Sequence, residues 1–185
     1  ADYTKIAYDK AIRLEELIEE FFSIAKYNLS DTVIETETVN LSIMLAQISY
    51  EFMPLYQEKK LNCLTQITEN LKVQIDINQF ERVFDNLIRN AINYSIENSD
   101  IIIGARQEND DIIITVSNAI DKNKTYNIDH IFEPFVRLDE SRNSKTGGSG
   151  LGLAITKKIV ELHHGTISAA IDDGRITFTI KLPTV

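Results

Sequence analysis

The chain has 185 residues, 43% hydrophobic and 25% charged, a composition that gives one full core and excludes a disordered chain. Its net charge of −9 argues against nucleic acid or an anionic membrane surface as the main partner. The single cysteine, Cys63, excludes an internal disulfide, and no cysteine–histidine cluster offers a structural zinc site. No apolar run approaches the roughly 18 residues of a membrane span, so the chain as it stands is expected to be soluble, in a reducing compartment.

Residues 2–29 read as one long helix. Tyr3, Ala7, Leu14, Leu17, Phe21 and Ile24 recur on one side, with Glu15, Glu16, Glu19 and Glu20 largely opposite. The apolar stripe is wide and no antiparallel partner follows in sequence. That favours a helix of a bundle made with a second helix over one packed only on its own domain. Asn28 and Ser30-Asp31 break the pattern, which separates residues 1–30 from a second unit at 31–185.

The second unit opens with a strand at 33–39 and a helix at 41–57, capped by Asn40 and kinked or shortened by Pro54. Short strands follow at 61–66 and 71–75. Residues 78–95 form a strong helix whose apolar face is Phe80, Val83, Phe84, Leu87, Ile88, Ala91 and Ile92. Strands at 101–107 and 112–118 share a hairpin-like link, and their isoleucine triplets predict burial on both faces. The stretch 119–148 carries one apolar knot, Ile131-Phe132-Glu133-Pro134-Phe135, and its length reads as a lid. A helix at 151–163 and strands at 165–171 and 176–182, turning through Asp172-Asp173-Gly174, close the chain. This order predicts an α/β two-layer sandwich, a mixed sheet with helices on one face, preceded by the long N-terminal helix.

Two places on this frame carry chemistry. Asn86 and Asn90 stand one turn apart on one side of their helix, so both carboxamides can point at one ligand. Such oxygens suit a hard cation such as Mg²⁺, which takes few protein ligands and relies on phosphates for others; the alternative is two solvated surface amides. The second place is Gly147, Gly148, Gly150 and Gly152, four of the seven glycines, directly ahead of a helix. Backbone N–H groups there can cradle a phosphate, with the positive helix end behind them, although linkers and hairpins use glycine too. Arg137, Arg142 and Lys145 bring positive charge to the approach. A Rossmann turn is disfavoured because the glycines follow a long loop, and a P-loop because no Gly-Lys-Ser/Thr ends them.

Taken in order, these segments resemble a known family. Asn86-Leu87-Ile88-Arg89-Asn90-Ala91-Ile92-Asn93-Tyr94-Ser95, Ile131-Phe132-Glu133-Pro134-Phe135 and Gly148-Ser149-Gly150-Leu151-Gly152-Leu153 resemble the N, F and G2 boxes of the ATP-binding region of sensor histidine kinases. Phe135-Val136-Arg137-Leu138-Asp139 is similar to that family's lid, and Leu162-His163-His164-Gly165-Thr166-Ile167 and Thr177–Pro183 to its closing strands. Residues 141–146 and His163-His164 are similar to the vancomycin-resistance sensor kinases, and the resemblance covers about the whole chain.

The resemblance implies the Bergerat nucleotide fold, shared with gyrase-type ATPases, with ATP and Mg²⁺ as ligands. It puts Asn90, with Asn86, at the metal, Tyr94 near adenine or ribose, and Arg137, Arg142 and Lys145 toward the γ-phosphate. Gly148, Gly150, Leu151 and Gly152 would hinge the lid over the triphosphate, and Phe132 and Phe135 would anchor it in the core. Two departures stand out. Asn118-Ala119-Ile120 occupies the place of the family's Asp-x-Gly-x-Gly, so a neutral amide would meet the adenine amine and bind it more weakly. Asn93 replaces a lysine often found within the N box.

The family's phosphoacceptor histidine lies on a helix before the one at 2–29. The histidines here are His130, in the lid, and His163 and His164, read as caps of a helix C-terminus favoured by its dipole. The chain is therefore expected to be the second bundle helix plus the catalytic domain, able to bind ATP but without a histidine to phosphorylate. The implied activity is transfer of the γ-phosphoryl group to a histidine on a separate helix of the same kinase, for relay to an aspartate in a response-regulator receiver domain. The implied parent is a homodimer on the cytoplasmic side of a membrane, which it reaches only through segments outside this chain. A gyrase- or chaperone-type ATPase would place a glutamate base where Asn86 stands, which argues against water attack. A non-catalytic interaction module would suit the altered Asn118 stretch, but the N box, lid arginine and glycine turn oppose it.

Overall fold

A computed structural model of the chain describes residues 3–27, 34–138 and 149–184. Along the chain lie α1 (Tyr3–Tyr27), β1 (Glu37–Asn40), α2 (Leu41–Glu51), α3 (Met53–Glu58), β2 (Asn62–Ile67), β3 (Lys72–Ile75) and α4 (Ile77–Tyr94). They are followed by β4 (Asp100–Glu108), β5 (Asp111–Ala119), α5 (Gly152–Leu162), β6 (Thr166–Asp172) and β7 (Arg175–Pro183). Alternation in the strands decides the layers. Ile101 and Ile103 of β4, Ile112, Ile114 and Val116 of β5, and Phe178, Ile180 and Leu182 of β7 are buried on one face. Register stacks them, with Val116 opposite both Ile103 and Phe178. Helices α4 and α5 cover that face with Phe80, Val83, Phe84, Leu87, Ile155 and Ile159.

The main sheet has the order β2-β4-β5-β7-β6, mixed because β2 runs parallel to β4 while the other neighbours are antiparallel. β2 and β3 follow one another in sequence yet enter different sheets, β3 pairing with β1 in a two-stranded ribbon. The predicted strand at 33–39 is present as the shorter β1. Two-sided burial of the isoleucine triplets holds for β5, where Ile113 is buried too, but Ile102 of β4 is only half-buried. The sheet's second face also carries Thr115, Ser117, Thr177 and Thr179, all half-buried.

The predicted 41–57 helix divides at Phe52, which ends α2 and begins α3. Pro54 lies in the first turn of α3, where its missing N–H leaves no bond unmade. Asn40 caps α2 as expected, its Oδ1 accepting the Ile43 N–H at 3.2 Å. In α1, Tyr3, Ile6, Leu14, Phe21 and Phe22 are exposed, whereas Tyr27 is buried and its hydroxyl donates to Gln79 Oε1 of α4. Arg82 adds a bond to Ser23 Oγ at 2.9 Å. The boundary at Asn28 and Ser30-Asp31 lies outside the described residues. Among those described, no helix is long and apolar enough to cross a membrane.

The end of α5 shows why two histidines sit there. His164, in the left-handed region at φ 59, donates its N–H to the Glu161 carbonyl, and the Gly165 N–H reaches the Val160 carbonyl at 3.0 Å. Together these bonds form a Schellman turn. His163 does cap the helix, but not as a cation attracted by the dipole. It is buried, its Nδ1 lies 2.7 Å from the Ile159 carbonyl, and its Nε2 accepts the backbone N–H of Asp76 at 3.0 Å. Those partners assign a neutral ring with its proton on Nδ1. Burial holds its pKa below the ordinary value, against the opposing pull of the Ile159 carbonyl.

A depressed histidine pKa means the unfolded chain binds the proton first. The stabilisation from His163 is therefore fully present above its unfolded value of about 6.5 and is lost as pH falls through the folded value. Thermal melts should show Tm falling between pH 7.5 and pH 5. His163→Gln, which keeps an acceptor but no titrating ring, should flatten that decline; an equally steep decline in the variant would contradict the assignment.

Candidate functional site

Helices α4 and α5 are tied at two places by polar side chains. At one end His163 holds the Asp76 N–H, and Asp76 itself caps α4 by accepting the Gln79 N–H at 3.1 Å. At the other, Asn86 Nδ2 donates to the Gly152 carbonyl at 3.1 Å and to Thr156 Oγ1 at 3.3 Å. About 15 Å of helix separates the two ties on each partner, so the helices lie antiparallel in a fixed register. The N-terminus of α5 is thereby brought beside Asn86. Asn90 stands one turn further along α4, half-buried, and its carboxamide makes no hydrogen bond to another described residue.

The asparagine pair thus divides its work. The sequence suggests two carboxamides aimed at one ligand, but the Asn86 amide is engaged with α5, and its Oδ1 lies against Gly152, where an added Cβ would come within 3.2 Å. The half-buried Asn90 has no such tie to α5 among the described residues.

The glycine turn enters α5 from the lid stem. Gly150 has φ +78, and a Cβ there would lie 2.8 Å from the carbonyl carbon of Phe135 and 2.9 Å from the Val136 oxygen. The Phe135 N–H donates to the Gly150 carbonyl at 2.9 Å, so turn and stem meet backbone to backbone. Ser149 Oγ accepts the Leu151 N–H at 3.0 Å, and no side chain caps the start of α5. The Leu151 side chain is buried in the core, which leaves it only backbone to offer a ligand. Gly148, Arg142 and Lys145 lie outside the described residues.

On the lid stem, Ile131 and Leu138 are buried, and Phe132 meets Phe178 edge-on at 6.3 Å, anchoring the segment as expected. Phe135 does not anchor it. That ring is 66% exposed on a residue with φ 67, because the close approach to Gly150 turns the backbone left-handed there. Arg137 is half-buried, and its Nε and Nη2 are buried without a hydrogen-bond partner among the described residues.

At the far end of β5, Asn118 is 1% exposed. Its Nδ2 donates to the Ala119 carbonyl at 3.3 Å, while its Oδ1 is buried with no partner among the described residues. The Ala119 carbonyl also accepts the Ile96 N–H at 3.2 Å, which draws the end of β5 against the C-terminus of α4. Beside this junction a cleft of about 260 Å³ opens between Tyr94 and Ile96 on one side and Asp121 and Tyr126 on the other. One feature here is not apparent from the motifs. The loop after Asn118 is held by the β6–β7 turn, through Ile120 N–H to Gly174 carbonyl at 2.9 Å and a Lys122–Asp173 ion pair at 2.6 Å. The opposite charges of Lys122 and the Asp172-Asp173-Gly174 turn were the available signal, but their pairing depends on strand order.

Buried polar atoms without partners are rare and costly, about 1–3 kcal/mol each. Among the described residues an orphaned acceptor lies at one station and orphaned cationic donors at another, with an uncapped helix start beside Asn86. Among the described residues no group of three or more histidines, cysteines or carboxylates offers a metal cage.

This arrangement matches an ATPase class. The family described as histidine kinase-, DNA gyrase B-, and HSP90-like ATPase matches residues 75–185, and the chain belongs to it. Within that class the similarity points to sensor kinases. Sensor protein VanSC of Enterococcus gallinarum is 46% identical over 98% of this chain and 50% of its own length. Full-length ShkA, solved in complex with AMPPNP, superposes with a TM-score of 0.82 at 18% identity, covering 99% of this chain and 38% of that one. ThkA, solved in complex with the response regulator protein TrrA, gives 0.76 at 23% identity, covering 99% of this chain and 51% of that one. At those identities the two structures show the shared fold. The chain spans about half the length of the curated relatives it matches.

Two substitutions probe the frame of the site. Gly150→Ala should destabilise by at least about 1–2 kcal/mol, the cost of a left-handed alanine before any clash with Phe135. Asn86→Ala should cost about 1 kcal/mol through its lost bonds to α5. Urea denaturation midpoints read both effects, and an unchanged midpoint for Gly150→Ala would contradict the backbone contact.

Proposed function

We propose that this chain is the ATP-binding catalytic part of a sensor histidine kinase of the vancomycin-resistance type, passing the γ-phosphoryl group of ATP to a histidine on a separate helix. The observation that carries the reading is the pair of orphaned groups, Asn118 Oδ1 and the Arg137 guanidinium. A nucleotide supplies what each lacks, an amine donor from its base and anionic oxygens from its phosphates. Family membership, and the AMPPNP held by ShkA on the same fold, support it.

In this reading Asn118 accepts from the adenine amine, and Tyr94 packs beside base or ribose. The backbone of Gly150, Leu151 and Gly152, at the positive end of α5, lies along the phosphates. Arg137 stabilises the charge on the transferring phosphoryl group. Arg142, Lys145 and Gly148 are proposed for the same phosphate contacts on sequence grounds alone. Asn90 fits Mg²⁺ as a single protein oxygen, since that ion takes one or two protein ligands and completes its shell with phosphates and water. When bound, Mg²⁺ would neutralise phosphate charge during transfer. Asn86 acts as a positioning residue, holding the start of α5 against α4.

The acceptor is an imidazole nitrogen of the incoming histidine. A P–N bond forms as the bond from the γ-phosphorus to the bridging oxygen breaks, and ADP leaves. Asn86 stands where a water-activating glutamate would be needed, and an amide cannot take a proton from water, which favours transfer over hydrolysis. The exposed apolar residues of α1 support residues 1–30 as the second helix of a dimerisation bundle and 31–185 as the catalytic unit. The parent would be a homodimer at the cytoplasmic side of a membrane, reached through segments outside this chain. Its phosphoryl group would go on to a response-regulator receiver domain, a partner supported by the ThkA–TrrA complex.

Calorimetric titration of AMPPNP should show binding that tightens with Mg²⁺. Asn90→Ala should remove at least about tenfold of the affinity in Mg²⁺ and leave the affinity in EDTA unchanged. Absence of binding to the parent chain would sink the nucleotide reading. Separately, labelled ATP with a phosphoacceptor helix supplied in trans should label that helix; label on this chain instead would refute the division of roles.

A further inference from the structure

We infer that Asn118 makes the base site tolerant of 6-oxopurines, so that the nucleotide class is purine triphosphates rather than adenine nucleotides alone; the inference rests on the nucleotide reading above. A carboxylate at this place accepts hydrogen bonds only, and it faces a 6-oxo group with acceptor against acceptor in every orientation. A carboxamide turned by half a rotation exchanges an acceptor for a donor.

The surroundings of Asn118 make that rotation cheap. Among the described residues its Nδ2 is held only by the Ala119 carbonyl at 3.3 Å, beyond the usual N–H···O range. That carbonyl already accepts the Ile96 N–H at 3.2 Å, so it keeps a partner when the amide turns away. Oδ1 has no partner to lose. Against an adenine amine the present orientation offers Oδ1, and against a 6-oxo group the turned amide offers an N–H. The turned state gives up one long bond and brings Oδ1 toward the Ala119 oxygen, which together cost about tenfold in affinity. Because Asn118 is 1% exposed, water cannot fill in for a mismatched partner, and the preference is set by this side chain.

The test is calorimetric titration of the full chain with Mg²⁺ and either ATP or inosine triphosphate, which differs from ATP by a 6-oxo group in place of the 6-amino group and the accompanying ring proton. The parent chain should bind inosine triphosphate within about thirtyfold of ATP. Asn118→Asp should tighten ATP and widen the ratio by at least about tenfold. A parent ratio beyond about thirtyfold overturns the inference, as does an unwidened ratio in an Asn118→Asp chain that melts cooperatively. If that variant does not melt cooperatively, the parent ratio alone decides. Failure of the parent to bind either nucleotide overturns the nucleotide reading itself, a result distinct from ATP binding with strict base selection.

Discussion

The antiparallel register of α4 against α5 is the constraint on which the site depends. Apolar packing alone fixes a helix pair loosely, since ridges settle into grooves at several offsets one turn apart. Here two polar ties of matched spacing, His163 to the Asp76 N–H and Asn86 to Gly152 and Thr156, admit only one offset. A one-turn slip would leave a neutral imidazole, a backbone N–H and a carboxamide without partners in a largely buried interface, each at a cost of about 1–3 kcal/mol. The register decides where the first turn of α5 opens, and that opening lies beside Asn86, one turn before Asn90 on α4.

The lid inherits its geometry from the same place. Gly150 lies just ahead of α5, and its contact with Phe135 and Val136 leaves no room for a side chain. The stem is thus fastened at Phe132 to the sheet and at Phe135 to the glycine turn, and Arg137 follows two residues later with buried, unsatisfied donors. A guanidinium in that state is already partly desolvated before any anion arrives. In the proposed nucleotide site its interaction with phosphate oxygens would then gain from the low local dielectric, with less water left to remove.

Much of this frame was legible in the residues. The stripe of α4, the alternation of β4, β5 and β7, the Asn40 cap and the glycine cluster are local patterns, and local patterns survive into the fold. What was hidden depends on contacts distant in sequence. The isoleucine triplet of β4 resembles that of β5, but β5 is the middle strand and only there is the whole triplet buried. Nothing local says that β2 and β3 enter different sheets, or that the Asn86 carboxamide turns to α5 while Asn90 does not. His163 misled for a related reason. Position at a helix end suggests a cation, and only the buried Asp76 N–H across the interface requires the neutral ring. Phe135 resembles its neighbour Phe132 in sequence and differs in burial because the backbone turns left-handed at Phe135 itself.

The stretch after β5 shows how a departure from a family pattern is absorbed. Glycines at this point would give the loop after β5 more backbone freedom to lose on ordering. This chain has Ile120 and Lys122 in their place, one tied to the Gly174 carbonyl and the other paired with Asp173, while the Ala119 carbonyl holds the Ile96 N–H. A loop held in this way has less conformational freedom to surrender, and each residue already ordered spares about 1–2 kcal/mol of backbone entropy. With Asn118 meeting the adenine amine as proposed, that saving would act in the opposite direction to the weaker hydrogen bond of a neutral amide, whose deficit against a carboxylate is of similar size, about 1 kcal/mol. The exposed Lys122–Asp173 pair contributes little stability by itself. Its part is to fix where the loop lies, so that in the proposed nucleotide site the neutral Asn118 would be met by preorganisation of the wall around it.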